Sequence, residues 1–304
     1  VEGHLLGKSI GLSGAIVLQS PFEVGLDISL KDASLSPLLG LVSPKLAEFI
    51  GGALSGKFRL EGPLARLRLL RMEGALTDAA LQLTEVKVKN EAPVHVVLEN
   101  GVFEILPVRF SGTAGSFFAQ ASYQVRGPFD LHVKGLANLI LLKDFDTSGV
   151  FETVTGKGDV DVRVHAAPLQ VPAIVGKAVI SEGYMKLTTL EQAIAPISGT
   201  IYLNYPDFSV PAEAPLRAVF GGGPVEVWGK VVANPARFED ILLDLRMRGT
   251  RLSYVYMPEL ETIVSPDVTI GGTALVPLVS GNLVMDRVRY SGRIELRSML
   301  VEAA

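Results

Sequence analysis

The sequence contains no cysteine among its 304 residues. Disulfides, thiolate nucleophiles and zinc–thiolate sites are therefore excluded for this stretch of chain, whereas the compartment stays open, since envelope and cytoplasmic proteins can both lack cysteine. No run of 18 or more apolar residues occurs, so no segment is predicted to cross a bilayer as a helix. The 28 basic and 32 acidic residues are interspersed and leave no basic stripe, so nucleic acid is not an expected partner.

Groupings of catalytic or metal-ligating residues are also missing. The four histidines lie far apart in the sequence, without the spacing of a metal site: His4, His95, His132 and His165. Asp159 and Asp161 stand two apart on a charged strand face, and the glycine run Gly221–Gly223 lacks the lysine and helix of a phosphate-binding loop. We therefore expect a protein that is not an enzyme and that carries neither a metal nor a cofactor.

What the sequence has instead is apolar residues in a period of two. They make up 48% of the chain, charged residues make up 20%, and the mean hydropathy is +0.36. The stretch 156–187 is typical: Val160, Val162 and Val164 alternate with charged residues, which places the two sets on opposite faces of a strand. Pro172 and Gly176 then interrupt and restart the strand pattern. A similar phrase returns at residues 276–281.

The same rhythm predicts about twenty strands along the chain, one every eight to twelve residues. Asn100-Gly101 is the strongest hairpin signal. Residues 43–50 have a Ser-Pro start and helical spacing before Gly51-Gly52, and they predict one short helix. We expect one continuous sheet over residues 1–304, with a weaker possible subdivision into 1–135 and 150–304.

The architecture depends on whether the apolar face of the sheet packs against a second sheet or lines an open groove. An ordinary sandwich would be expected to fill its core with large aromatic residues, but the inward positions here are mostly small and aliphatic. We therefore predict an all-β fold: a long, twisted, U-shaped, mostly antiparallel sheet with an open apolar groove. Plain core packing is an equally good interpretation for each candidate groove residue. These candidates are Val160, Val162, Val164, Ile180, Val225, Val227, Val231, Ile241, Leu243, Leu245, Val284 and Val288.

Three recurrent phrases resemble the TamB and AsmA-like family of envelope proteins. They are the stretches 56–64 (Gly-x-Phe-x-Leu-x-Gly-Pro-Leu), 197–203 (Ile-x-Gly-x-Ile-x-Leu) and 281–292 (Gly-x-Leu through Tyr-Ser-Gly). The resemblance implies a U-shaped sheet called a β-taco, whose groove carries phospholipid acyl chains across the periplasm between the inner and outer membranes. It also implies a possible partner, an outer-membrane barrel protein of the Omp85 type. We expect the sequence to be a piece of a longer protein whose inner-membrane anchor lies outside it.

Two other functions fit parts of the pattern. The first is an assembly scaffold whose sheet edges template outer-membrane strands by β-augmentation. The second is a transmembrane barrel with an aromatic belt, but the tyrosines and the tryptophan cluster in the second half of the chain, which favours packing instead.

Overall fold

The computed structural model describes residues 2–5, 9–40, 50–83, 86–125, 127–144, 149–168, 170, 172–233, 241–257 and 260–291. Strands take up 76% of the chain, helices take up 3%, and the strands pair in the antiparallel sense. The predicted all-β, antiparallel class is therefore confirmed.

Twenty strands lie within the described residues. Their bounds are β1 (Glu2–Leu5), β2 (Ile10–Ile16), β3 (Glu23–Ser34), β4 (Ile50–Pro63), β5 (Arg71–Leu83), β6 (Val86–Asn90), β7 (Val94–Glu99), β8 (Val102–Gly112), β9 (Gly115–Gln124), β10 (Phe129–Asn138), β11 (Phe151–Ala166), β12 (Ala173–Leu187), β13 (Ile194–Asn204), β14 (Asp207–Val210), β15 (Leu216–Phe220), β16 (Gly223–Val232), β17 (Leu242–Gly249), β18 (Leu252–Met257), β19 (Leu260–Gly272) and β20 (Pro277–Tyr290). Each strand follows a stretch of alternating residues, as expected from the side-chain period of two.

The helical segments of the described residues are few and short. The described residues contain α1 (Leu35–Gly40), α2 (Leu141–Asp144) and one 3₁₀ turn (Leu67–Leu69). The helix predicted at 43–50 lies outside the described residues except for Ile50, which is the first residue of β4. The glycine pair predicted to end that helix lies inside the same strand, so this part of the prediction is wrong.

The chain divides into two compact units. Unit 1 consists of Val1–Ser148, Thr155–Val179 and Tyr202–Tyr205, and unit 2 consists of Gly149–Val154, Ile180–Ile201 and Pro206–Ala304. The strands β11, β12 and β13 therefore contribute residues to both units.

One face of the unit 1 sheet is apolar across nine strands. The strand registers place one residue from each strand in a continuous row: Leu12, Ile28, Phe58, Gly74, Val96, Ile105, Ala121, Leu131 and Val164. Cross-strand partners share a face. None of these nine residues is charged, so this face of the sheet is apolar along the row.

The opposite face of unit 1 is polar in the adjacent row. Its members are Ser13, Asp27, Arg59, Glu73, Val97, Glu104, Ser122, Asp130 and His165. Ion pairs cross the strands here, among them Arg59 Nη1 to Asp27 Oδ1 at 3.3 Å. The predicted one-sided distribution of charge is thus present in the described part of unit 1.

Part of the apolar face of unit 1 is covered by protein. Val94, Val96 and Val108 are only 2–4% exposed, and Phe110 stacks on Phe117 with ring centroids 6.0 Å apart. These residues form a packed core that spans strands β5 to β9. For this region, core packing is therefore the better interpretation of the alternating pattern.

Unit 2 repeats the two-faced design. One apolar row runs through Leu216, Val227, Met247, Val268 and Gly281. The adjacent row on the other face runs through Arg217, Glu226, Arg248, Asp267 and Asn282. Arg248 Nη2 lies 3.0 Å from Asp267 Oδ2 in that charged row.

Candidate functional site

A cavity of about 750 Å³ lies on the apolar face of unit 2. Strands β15 to β20, the start of β13 and the connection before it supply the walls of the cavity. The lining residues are Leu190, Ile194, Phe220, Val225, Met247, Leu252, Tyr254, Leu260, Thr262, Val264, Pro266, Val268, Val279, Ser280, Gly281, Leu283 and Met285. Its volume lies within the range of typical ligand pockets, about 300–1,000 Å³.

Strand β19 forms the main wall of this cavity. Its residues at even positions from 260 to 268 all line the cavity, because alternate residues of a strand face the same side. The intervening Glu261 and Asp267 are exposed and pair with Arg289 and Asn282 of β20, on the opposite face. The period of two therefore separates the charged residues of this strand from the cavity.

Strand β20 forms an exposed wall. All of its residues are exposed, and Leu283 and Met285 present 54% and 63% of their surface to solvent while lining the cavity. Gly281 lies between them and Val279 with φ +140°, and a Cβ on Gly281 would lie 2.4 Å from the Asp267 carbonyl oxygen. The close approach of β20 to β19 therefore requires glycine at this point.

The lining contains no charged side chain. Three of its seventeen residues carry hydroxyl groups, namely Tyr254, Thr262 and Ser280. Thr262 Oγ1 donates a hydrogen bond of 3.0 Å to the Tyr254 carbonyl oxygen, and the Tyr254 ring lies 6.3 Å from that of Phe220. An interior with this composition suits hydrocarbon and offers no counter-ion to a buried charge.

The predicted residues of unit 2 mostly lie on the cavity side of the sheet. Val225 lines the cavity itself. Val227 pairs with Met247, Val231 pairs with Leu243, and Leu245 pairs with Ile270, which places all of these on the same face. Val288 pairs with the lining residue Thr262 and shares its face. Ile241 is half-buried just before β17.

Val284 is on the other face, so its predicted place in the groove is wrong. It pairs with Ser265, and its neighbours on the same face are Asn282 and Arg287. A β-bulge explains the error: Val264 pairs with Met285 and Ile263 with Arg287, which leaves Asp286 as an extra residue. The extra residue exchanges the faces, so the cavity face of β20 carries odd positions before the bulge and even positions, such as Val288, after it.

Four predicted residues lie away from this cavity. Val160, Val162 and Val164 belong to unit 1, are half-buried, and pair with Gly135, Val133 and Leu131 on its apolar face. Ile180 is 8% exposed and packs beside the Gly183 backbone in unit 2. The residues that were not predicted from the sequence are Leu252, Tyr254 and the cavity-facing residues of β19. The alternation of apolar and polar residues in β19, from 260 to 268, is a signal that could have identified the last group.

A second cavity of about 620 Å³ lies in unit 1. Its lining combines residues of the charged row, such as Asp130 and His165, with residues of the apolar row, among them the predicted groove residue Val164. His165 Nδ1 lies 2.7 Å from Asp130 Oδ1 and His132 Nε2 lies 2.8 Å from Asp161 Oδ1. The hydrogen bond with His132 holds the pKa of the Asp161 carboxyl below its ordinary value. These two hydrogen-bonded pairs join β10 to β11.

Within the residues that the structure describes, no three metal-ligating side chains come together. No helix in this described part is long and apolar enough to cross a membrane. Comparison of the chain with protein-family models, with curated proteins and with solved structures found no match.

Proposed function

We propose that this protein binds the acyl chains of phospholipids in the apolar cavity of unit 2 and passes lipid along the apolar face of its sheet. The observation that carries the proposal is the cavity lining, which combines aliphatic and aromatic side chains from seven strands without a charged group. With the resemblance to TamB and AsmA-like proteins, the proposed setting is the bacterial periplasm, between the inner and outer membranes.

The expected affinity suits a carrier. Each buried CH₂ group contributes about 0.8 kcal/mol, so about ten methylenes contribute about 8 kcal/mol. Loss of translational and rotational freedom on association costs about 4–15 kcal/mol. The difference between these two free energies leaves a single acyl chain weakly bound. An apolar wall has no directional contacts that would fix the acyl chain in one place. Acyl chains could therefore slide and exchange.

The exposed wall supports entry from outside the cavity. Val279, Leu283 and Met285 line the cavity and are each more than half exposed. A lipid chain lying against them would cover apolar surface that contacts water in the free protein. This wall is therefore the proposed route by which an acyl chain enters.

A photoactivatable phospholipid tests the proposal. The purified chain would be incubated with vesicles that contain a phosphatidylcholine with a diazirine near the end of one acyl chain, irradiated, and mapped by mass spectrometry. Crosslinks are expected on β19 and β20 at residues of the cavity face, such as Val264, Val268 and Met285. Crosslinks spread equally over Arg248 and Asp267 on the charged face, or no crosslinks at all, would overturn the proposal.

A second candidate function rests on the free edge of β20. The described part of this 14-residue strand pairs with β19 along one edge, and no described strand pairs with its other edge. Such an edge can accept a strand from a partner by β-augmentation, and an outer-membrane barrel protein of the Omp85 type is the proposed partner. A photoreactive amino acid at Asn282 that crosslinks to a barrel strand, while lipid crosslinks are missing from the cavity, would favour this scaffold role.

A further inference from the structure

Among the three hydroxyl-bearing residues that line the cavity of unit 2, Tyr254 lies between apolar side chains. Tyr254 and Thr262 are direct partners in the β18–β19 register, so both lie on the cavity face. The Thr262 hydroxyl hydrogen is already donated to the Tyr254 carbonyl oxygen. The Tyr254 hydroxyl makes no hydrogen bond to another described residue, which leaves its O–H group available as a donor.

The neighbours of Tyr254 are apolar. Its ring lies beside that of Phe220, and on β18 the cavity residue next to it is Leu252, which is 3% exposed and pairs with Val264. Tyr254 is half-buried as a residue, and the hydroxyl of a buried tyrosine usually finds a hydrogen-bond partner. In ligand pockets that are mainly apolar, a few polar groups of this kind fix the orientation of the ligand.

The charge of the cavity restricts which ligand group can meet this hydroxyl. The described arginines of the wall strands β17 and β20 lie on the opposite face, namely Arg246, Arg248, Arg287 and Arg289, and Arg248 pairs there with Asp267. A free carboxylate drawn into the cavity would therefore lose its hydration without gaining a cation. A neutral carbonyl oxygen needs only one O–H donor, and Tyr254 supplies it.

Resting on the proposed lipid-binding function, we infer that the cavity selects neutral acyl esters over free fatty-acid carboxylates, with the Tyr254 hydroxyl donating a hydrogen bond to the ester carbonyl. Tyr254 is then a specificity-determining residue, and the aliphatic residues of β19 and β20 bind the hydrocarbon without distinguishing its end group. The ester linkage shared by glycerolipids is the chemistry recognised.

The inference is tested by displacement of Nile red from the purified full chain at pH 8 with three probes of similar length: methyl laurate, sodium laurate and dodecane. Wild-type protein is expected to bind methyl laurate at least about tenfold more tightly than laurate. Tyr254→Phe should weaken methyl laurate binding about three- to tenfold, the loss of one hydrogen bond, and leave dodecane binding unchanged. Tyr202→Phe, an exposed tyrosine of unit 1, is the matched control and should change none of the three affinities.

Two results would overturn the inference. The first is equal binding of laurate and methyl laurate to the wild-type protein, a comparison that needs no variant. The second is a Tyr254→Phe protein, with an unchanged urea unfolding midpoint, that binds methyl laurate as well as the wild type does or loses dodecane to the same extent as the ester. Failure of all three probes to displace Nile red from the wild-type protein would instead contradict the proposed function itself.

Discussion

Two neighbouring residues of β20 provide a sharp test of the cavity as a lipid site. Leu283 and Val284 are 54% and 57% exposed, but only Leu283 lines the cavity, because consecutive residues face opposite sides. We predict that Leu283→Asp abolishes binding of an acyl ligand and that Val284→Asp does not. The pair is matched in strand, in exposure and in the introduced charge.

The magnitude follows from the exposure of Leu283. Complete burial of a leucine side chain contributes about 1.5–3 kcal/mol, so a ligand that covers the exposed half gains about 1–1.5 kcal/mol there. Aspartate removes this gain and places an unpaired carboxylate against hydrocarbon, which costs about 2 kcal/mol or more. The sum of at least about 3 kcal/mol corresponds to binding weakened more than about 100-fold.

The assay is displacement of Nile red by methyl laurate, together with urea unfolding of each variant. Both residues are exposed on an edge strand, so each substitution should change the free energy of unfolding by no more than about 0.5 kcal/mol. Equal loss of binding in the two variants, or no loss in Leu283→Asp, would refute the assignment of the cavity face. A large fall in stability for Leu283→Asp alone would indicate that this side chain belongs to the core.

Two further predictions concern unit 1. Asn90 is 8% exposed, its Oδ1 accepts a hydrogen bond of 2.7 Å from the Ala79 amide, and its Nδ2 donates to the Ala92 carbonyl at 2.8 Å. Asn90→Ala leaves these buried backbone groups unpaired and should lower the free energy of unfolding, measured in urea, by about 2–3 kcal/mol. The exposed control Asn282→Ala should lower it by less than about 0.5 kcal/mol. Asp161 has a folded-state pKa below its unfolded value of about 3.9, because of its hydrogen bond with His132, so its contribution to stability is present above about pH 4 and is lost as the pH falls through the folded-state pKa. The difference in the free energy of unfolding between the wild type and Asp161→Asn should therefore shrink as the pH falls from 5 to 3. A difference that stays constant over this range would contradict the hydrogen bond between Asp161 and His132. Asp159→Asn on the same strand controls for the loss of one charge.

The strands could be predicted from the sequence because local alternation fixes them. Asn100 and Gly101 form the predicted hairpin turn between β7 and β8, with φ angles of 54° and 76°, as a two-residue turn with two left-handed positions requires. The separation of charged and apolar faces also follows from the period of two and does not depend on how the strands are arranged. For this reason Val225 could be identified from the pattern alone.

Other features depend on geometry that the alternation does not contain. Val284 shares its parity with Val288 in the sequence, but the bulge at Asp286 places the two residues on different faces. The cavity joins Leu190 to residues as distant in the chain as Met285, and no local pattern brings such positions together. The buried position of Asn90 is set by hydrogen bonds to the backbone of β5, and a polar residue at a strand end gives no sign of this in the sequence.

The bulge also determines which changes of length β20 can tolerate. Loss of Asp286 would let Met285 and Arg287 continue the ladder opposite Val264 and Ile263 without altering the register of the strand. The hydrogen bond from the Ser265 hydroxyl to the Asp286 carboxylate would be lost. Loss of one residue between Gly281 and Met285 would instead turn the preceding part of the strand over, bringing the side chain of Asn282 towards the cavity and that of Val279 towards the charged face. A family of related sequences would therefore be expected to vary in length at position 286 while keeping the count of residues on either side of it.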